Sequence, residues 1–110
     1  MALLRSPGRK TTTMRMMMKV QLDTAATSPR IEDGSLPRVM QQTLGTLNPE
    51  AAYFGPEDGV RTAFIIFDMN DPSQLPSISE PLFSQFNARV YFFPVMDQQD
   101  LQRGLSQVGQ

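Results

Sequence analysis

The 110-residue chain is 40% hydrophobic and 19% charged, a composition typical of one small globular domain rather than of a disordered chain. It contains no cysteine and no histidine, which excludes disulfides, thiolate or imidazole metal sites and a Ser-His-Asp triad, so we expect no metal, no cofactor and no assignable catalytic residue. Residues 20–110 carry five bases and all eleven acids, and their net charge of −6 argues against nucleic acid as a partner, because this part of the chain repels phosphate backbones.

The first segment, residues 1–15, is predicted to be a disordered basic leader. Residues 1–19 contain five bases and no acid, and the apolar run Ala2-Leu3-Leu4 is too short for the core of a secretory signal. Three interpretations stay open: an extension upstream of the true start, an organelle transit peptide and a functional basic tail.

No apolar run approaches the roughly 18–20 residues of a membrane span, so we expect a soluble, cytoplasmic protein with no membrane partner.

The folded domain is predicted to span residues 16–110 and to begin with a strand, because Met16–Asp23 alternates between apolar and polar side chains. Thr24–Asp33 is predicted to be a polar connection. Apolar side chains then recur at helical spacing over Leu36–Leu47. Asn48-Pro49 ends this helix, because a residue before proline avoids the α conformation.

A β-hairpin is predicted next. Ala51–Phe54 is a short strand and Val60–Asp68 is the most strand-like segment in the chain. Gly55–Gly59 contains the proline and Asp-Gly signals of a turn.

The last third is predicted to be a helix, a strand and a short helix. Asp71 is a suitable N-cap for the second long helix, which Pro76 and Pro81 are expected to break or kink. Arg89–Val95 is apolar enough to form the final strand, and Asp97 caps a short C-terminal helix.

The predicted order is therefore β-α-β-β-α-β followed by a short helix. This order is that of a ferredoxin-like α+β domain, in which two crossovers interleave the strands into one four-stranded antiparallel sheet.

A homodimer follows from the sheet's composition. Both faces of Val60–Met69 and of Arg89–Val95 are largely apolar, yet two helices cover only one face of such a sheet. Two copies packed sheet to sheet would hide the other face and form a dimeric α/β barrel. The alternative is a monomer in which the terminal helix and the 24–33 connection cover it.

Several segments resemble a bacterial family of unknown function in the dimeric α/β-barrel superfamily of ferredoxin-like domains. They are Pro49–Phe54, Gly59–Met69, Glu80-Pro81 and Phe86–Met96. The resemblance covers about residues 18–104 and implies a fold and a dimer, but no activity. Related barrels include cofactor-free monooxygenases, muconolactone isomerase-like enzymes, haem-handling proteins and stress proteins, and a chain without histidine is a poor match for the His-dependent ones.

Arg61 is the first candidate for ligand binding. It begins a strand with apolar alternating neighbours, so its guanidinium is placed to bind a carboxylate in a half-enclosed cavity. The alternative is a surface ion pair with Glu57 or Asp58.

Three further candidates lie in the predicted strands. Tyr53 is either a hydrogen-bond donor to a ligand or a core residue with its hydroxyl at the rim. Asp68 is either a desolvated base or a strand-end cap. Tyr91 is the candidate from the last strand, where it shares a face with Arg89.

Two functions are compatible with these patterns. The first is a non-catalytic dimer that binds a small apolar or carboxylated molecule, or a protein partner. The second is a cofactor-independent monooxygenase- or isomerase-like enzyme with its site in the barrel cavity, which requires an enclosed pocket with convergent polar groups.

Overall fold

The computed structural model describes residues 13–109 as a mixed α+β fold with a four-stranded antiparallel sheet and four helices. Their order is β-α-α-β-β-α-β-α, with the strands arranged β2-β3-β1-β4 across the sheet. The elements are β1 (Met14–Gln21), α1 (Thr24–Glu32), α2 (Ser35–Leu47), β2 (Ala51–Glu57), β3 (Val60–Met69), α3 (Leu75–Phe86), β4 (Arg89–Pro94) and α4 (Gln98–Val108).

The predicted alternation of the first strand is confirmed. Met18 and Val20 are fully buried, and Met16 is nearly so, because β1 lies between β3 and β4 with this face under the helices. The strand begins at Met14, so Met14 and Arg15 lie in the sheet. Residues 1–12 of the predicted leader lie outside the residues that the structure describes.

The polar connection predicted for Thr24–Asp33 is wrong, because most of it is helix α1. The Asp23 carboxylate accepts a hydrogen bond from the backbone N–H of Ala26 at 2.9 Å and caps the helix. Only Thr27 is buried in this helix. A helix without an apolar stripe shows no helical periodicity of apolar residues, so its sequence pattern is typical of a loop.

Thr27 carries an unpaired buried hydroxyl: its side chain is fully buried, and its Oγ1 has no hydrogen-bond partner among residues 13–109. Replacing Thr27 by valine, which has the same shape, is expected to raise the free energy of unfolding by about 1 kcal/mol, because the desolvation penalty of the hydroxyl disappears. The urea midpoint measures the change. Thr46→Val, at an exposed position of α2, is the control. A loss of stability in Thr27→Val larger than in the control would mean that the hydroxyl is satisfied by a bound water.

The predicted hairpin is confirmed, but its turn is shorter than expected. β2 continues through Gly55 to Glu57, which pairs with Val60 of β3. The turn consists of Asp58 and Gly59, whose φ values of 58° and 75° are both positive. Two consecutive positive φ values are typical of a type I′ turn, which matches the twist of the paired strands.

The second long helix forms in spite of its prolines. Asp71, the predicted N-cap, forms a capping box with Gln74 in a short 3₁₀ turn that precedes α3. Pro76 lies in the first turn of α3, where a backbone N–H has no helical partner to lose. The helix also continues past Pro81 to Phe86, so the expected break is not observed.

The core lies between one face of the sheet and helices α1 to α3. Its largest fully buried side chains are Phe67, Phe86, Met18, Ile65 and Leu82. Around them pack other apolar side chains of the sheet, α2 and α3, among them Val39, Leu47, Ile78, Val90 and Phe92. Of the described residues, none belongs to a helix long and apolar enough to cross a membrane.

Candidate functional site: the Arg61 pocket and the open sheet face

Arg61 lies on the helix-covered face of β3, on the same side as the buried Ala63 and Ile65. Its Nη2 donates a hydrogen bond to Ser28 Oγ of α1 at 3.3 Å. No carboxylate among residues 13–109 forms an ion pair with it. Arg61 is therefore a half-buried cation without an acidic partner in the described part of the chain.

The ion pair considered for Arg61 with Glu57 or Asp58 is not formed. Glu57 pairs with Lys19, whose Nζ is 3.0 Å from Oε1. Gln21 donates from Nε2 to the carboxylates of both Glu57 and Asp58, at 3.1 and 3.2 Å. Both acids therefore bind side chains of β1 instead of Arg61.

A cavity of about 590 Å³ opens beside Arg61, between α2 and the β2–β3 hairpin. Leu36 and Met40 of α2 and Phe54 of β2 contribute large apolar side chains to its walls. Among residues 13–109, Arg61 is the only charged residue in the lining. The lining residues are Leu22, Thr24, Leu36, Met40, Phe54, Gly55, Pro56, Gly59, Val60, Arg61, Thr62 and Ala63. We call this cavity the Arg61 pocket.

The other three predicted site residues lie on the opposite face of the sheet from Arg61. Tyr53 is 67% exposed and Tyr91 is 42% exposed. Asp68 is exposed and stands opposite Arg15 in the β1–β3 pairing. The sheet therefore separates Arg61 from the other three candidates, and no single site brings all four together.

That opposite face, which we call the open sheet face, is largely apolar at its centre. In one row across the four strands, Tyr53, Phe64, Lys19 and Tyr91 are neighbours. The next row is formed in the same way by Ala51, Ile66, Met17 and Phe93.

Lys19 is the one basic side chain within these two rows. Its Nζ lies 4.9 Å from the centre of the Tyr91 ring, a cation–π contact, and it also forms the ion pair with Glu57. The hydrogen bond to Glu57 raises the pKa of Lys19, and the charges of Glu57 and Asp58 act in the same direction. Lys19 therefore stays charged at neutral pH and is not a proton acceptor there.

One end of the open sheet face is joined to α4 by an ion cluster centred on Arg15. Its guanidinium lies 2.9 Å from Glu50, 2.9 Å from Asp100 and 3.5 Å from Asp97. The hydrogen bond to Glu50 raises the pKa of Arg15. The backbone N–H of Asp97, followed by the charges of Arg103 and Arg15, lowers the pKa of Asp100. The cluster fixes the first turn of α4 at this end of the sheet.

Beyond that first turn, α4 presents unpacked apolar side chains. Leu101, Leu105 and Val108 recur at helical spacing and are 43%, 59% and 80% exposed. Asp100 is the only residue of the helix that is not exposed. The helix therefore does not cover the open sheet face within one chain, and neither does α1, which packs against α2 and α3.

Sequence reasoning missed the partners of Arg61. Ser28 lies in the segment that was predicted to be a loop, so no sequence pattern placed its side chain near Arg61. Leu36 and Met40 were assigned to an apolar helix stripe, but a stripe does not distinguish a filled core from a pocket wall.

Within residues 13–109, no three acidic side chains are grouped closely enough to hold a metal ion. No family model matches the chain, and no curated protein or solved structure matches it either.

Proposed function

We propose that this chain is a non-catalytic, homodimeric binding protein of ferredoxin-like fold that holds a small apolar or carboxylated molecule. The observation that carries the binding function is the Arg61 pocket. Its volume of about 590 Å³ falls within the range of ligand-binding cavities, which are mostly apolar with a few polar groups that orient the ligand.

The lining of the pocket favours binding over catalysis. Among the described residues, its one charged group is the guanidinium of Arg61, which has N–H donors and no acceptor atom. A cofactor-independent monooxygenase or an isomerase must remove a proton from its substrate. Among the described residues, the lining side chains on the Arg61 side of the sheet include the hydroxyl of Thr24 but no carboxylate, amine or phenol, so the enzyme is the less favoured alternative.

The strand order supports the ferredoxin-like assignment. Strands β1 and β3 are central, β2 and β4 are at the edges, and all neighbours are antiparallel. Helical crossovers connect β1 to β2 and β3 to β4, as in a split β-α-β arrangement. The additional helix α1 extends the first crossover without changing the strand order.

The open sheet face and α4 support the homodimer. An uncovered apolar face of this kind presents on the order of several hundred Å², which is unusual for a soluble monomer. The apolar stripe of α4 adds a second exposed surface on the same chain, fixed beside the first by Arg15. A second copy covers both surfaces at once when each α4 packs against the partner.

The assembly is tested by light scattering at micromolar concentration. One chain has a mass of 12.3 kDa, and we expect about twice that value for the dimer in solution. A mass near that of one chain would overturn the homodimer, and a concentration-independent tetramer would require a second interface.

The binding function is tested by titrating the protein with octan-1-ol and with octanoate in a calorimeter. These two molecules have the same chain length and differ in their head group. Saturable binding of at least one of them, one per chain, is expected. Met40→Trp is expected to weaken that binding, because the larger indole occupies part of the cavity beside Arg61, while the circular dichroism spectrum stays unchanged. Absence of binding for both molecules would overturn the proposal.

A further inference from the structure

We propose that the Arg61 pocket selects amphipathic monocarboxylates, with the carboxylate paired to Arg61 and the apolar chain lying against Leu36, Met40 and Phe54. This inference rests on the proposed binding function and names the class of ligand for the same site.

The first step concerns the orientation of Arg61. Ser28 Oγ accepts one hydrogen bond from Nη2, which fixes the guanidinium against α1. A guanidinium has five N–H donors in a planar fork, so donors remain for both oxygens of a carboxylate. Arg61 is therefore an oriented cation at the wall of a cavity.

The second step concerns charge. A half-buried cation beside apolar walls loses hydration and is stabilised by an anion within contact distance. Glu57 and Asp58 do not supply one, because Lys19 and Gln21 bind their carboxylates. Since Arg61 is the only charged group that the described part of the chain contributes to the lining, a monoanion balances it. A phosphate dianion would leave one charge uncompensated beside the apolar walls.

The third step concerns the rest of the ligand. Leu36 and Met40 are partly buried, and Phe54 is 61% exposed, so a bound chain would cover apolar surface that now meets water. Methionine adapts its shape readily, because its side chain is unbranched and flexible. The side chains of Leu36, Met40 and Phe54 carry no oxygen or nitrogen that could bind a sugar or a peptide. An alkyl or aryl chain is therefore the complementary tail.

The test compares octanoate, octan-1-ol and octyl phosphate by calorimetry at pH 8. Octanoate is expected to bind at least about tenfold more tightly than octan-1-ol, because a charge-assisted hydrogen bond of about 1.5–3 kcal/mol corresponds to a factor of ten or more. In Arg61→Gln, octanoate is expected to lose that advantage while octan-1-ol binds as before. Arg38→Gln, which removes an exposed charge from α2 outside the lining, is expected to leave both affinities unchanged.

The outcomes separate this inference from the function on which it rests. Equal binding of octanoate and octan-1-ol, or an Arg61→Gln variant with unchanged octanoate affinity, would overturn the carboxylate preference and leave the binding function standing. Tighter binding of octyl phosphate than of octanoate would overturn the assignment to monocarboxylates. Failure of all three to bind would overturn the function and the inference together.

Discussion

Replacing Phe86 by alanine is expected to lower the free energy of unfolding by about 3–5 kcal/mol. Phe86 is the last residue of α3, and its side chain is fully buried in the core beneath the sheet. Truncation removes the apolar contacts of the ring and leaves a cavity, because the surrounding side chains relax only partly. A small domain has about 5–15 kcal/mol of stability in total, so this single change removes a large part of it.

Phe83 provides the matched control, because it lies on the same helix but is 43% exposed. Phe83→Ala is expected to cost less than Phe86→Ala, since a large part of the Phe83 ring already meets water and its truncation leaves no enclosed cavity. Urea unfolding followed by circular dichroism measures both midpoints. Equal midpoints for the two variants would show that the end of α3 is not part of the cooperative core.

Strand β1 shows what the sequence predicts well. Its alternating pattern identified Met16, Met18, Val20 and Leu22 as one face, and all four are buried. Alternation is a local property of a strand, because successive side chains point to opposite faces whichever strands lie beside it. The capping box at Asp71 was predictable for the same reason, because it depends only on residues within one turn.

Helix α1 shows where local patterns fail. Its sequence, which contains Pro29 and only one buried residue, Thr27, has no apolar periodicity. The helix instead forms from its Asp23 cap and from packing of the whole element against α2 and α3. Packing of this kind is tertiary, and tertiary contacts override weak local propensities.

The candidate site was only partly predictable for a related reason. The alternation of β3 places Arg61 and Asp68 on opposite faces, but both faces are apolar, so the pattern does not say which one the helices cover. That choice depends on the strand order and the crossovers, which also bring Ser28, Leu36 and Met40 to Arg61. The residue type of Arg61 indicated anion binding. The pocket beside it could be recognised only from the arrangement of strands and helices in the fold.

The open sheet face gives the second prediction with a large effect: Ile66→Lys is expected to convert the proposed homodimer to a monomer. Ile66 lies in the apolar row between Ala51 and Met17. In the proposed dimer each copy would bury a lysine charge, at a cost of several kcal/mol per ion. A penalty of about 4 kcal/mol raises the dissociation constant about a thousandfold. Within one chain the same lysine stays in water, so the fold is expected to persist.

Ile31→Lys is the control for charge and chemistry, because Ile31 is 43% exposed on α1, on the other side of the sheet. A lysine there also lies near the C-terminal end of its helix, where a positive charge is favourable. Light scattering of both variants is expected to give the mass of one chain for Ile66→Lys and of two chains for Ile31→Lys. A dimer that survives Ile66→Lys would move the interface away from the open sheet face and leave the exposed stripe of α4 as the contact between copies.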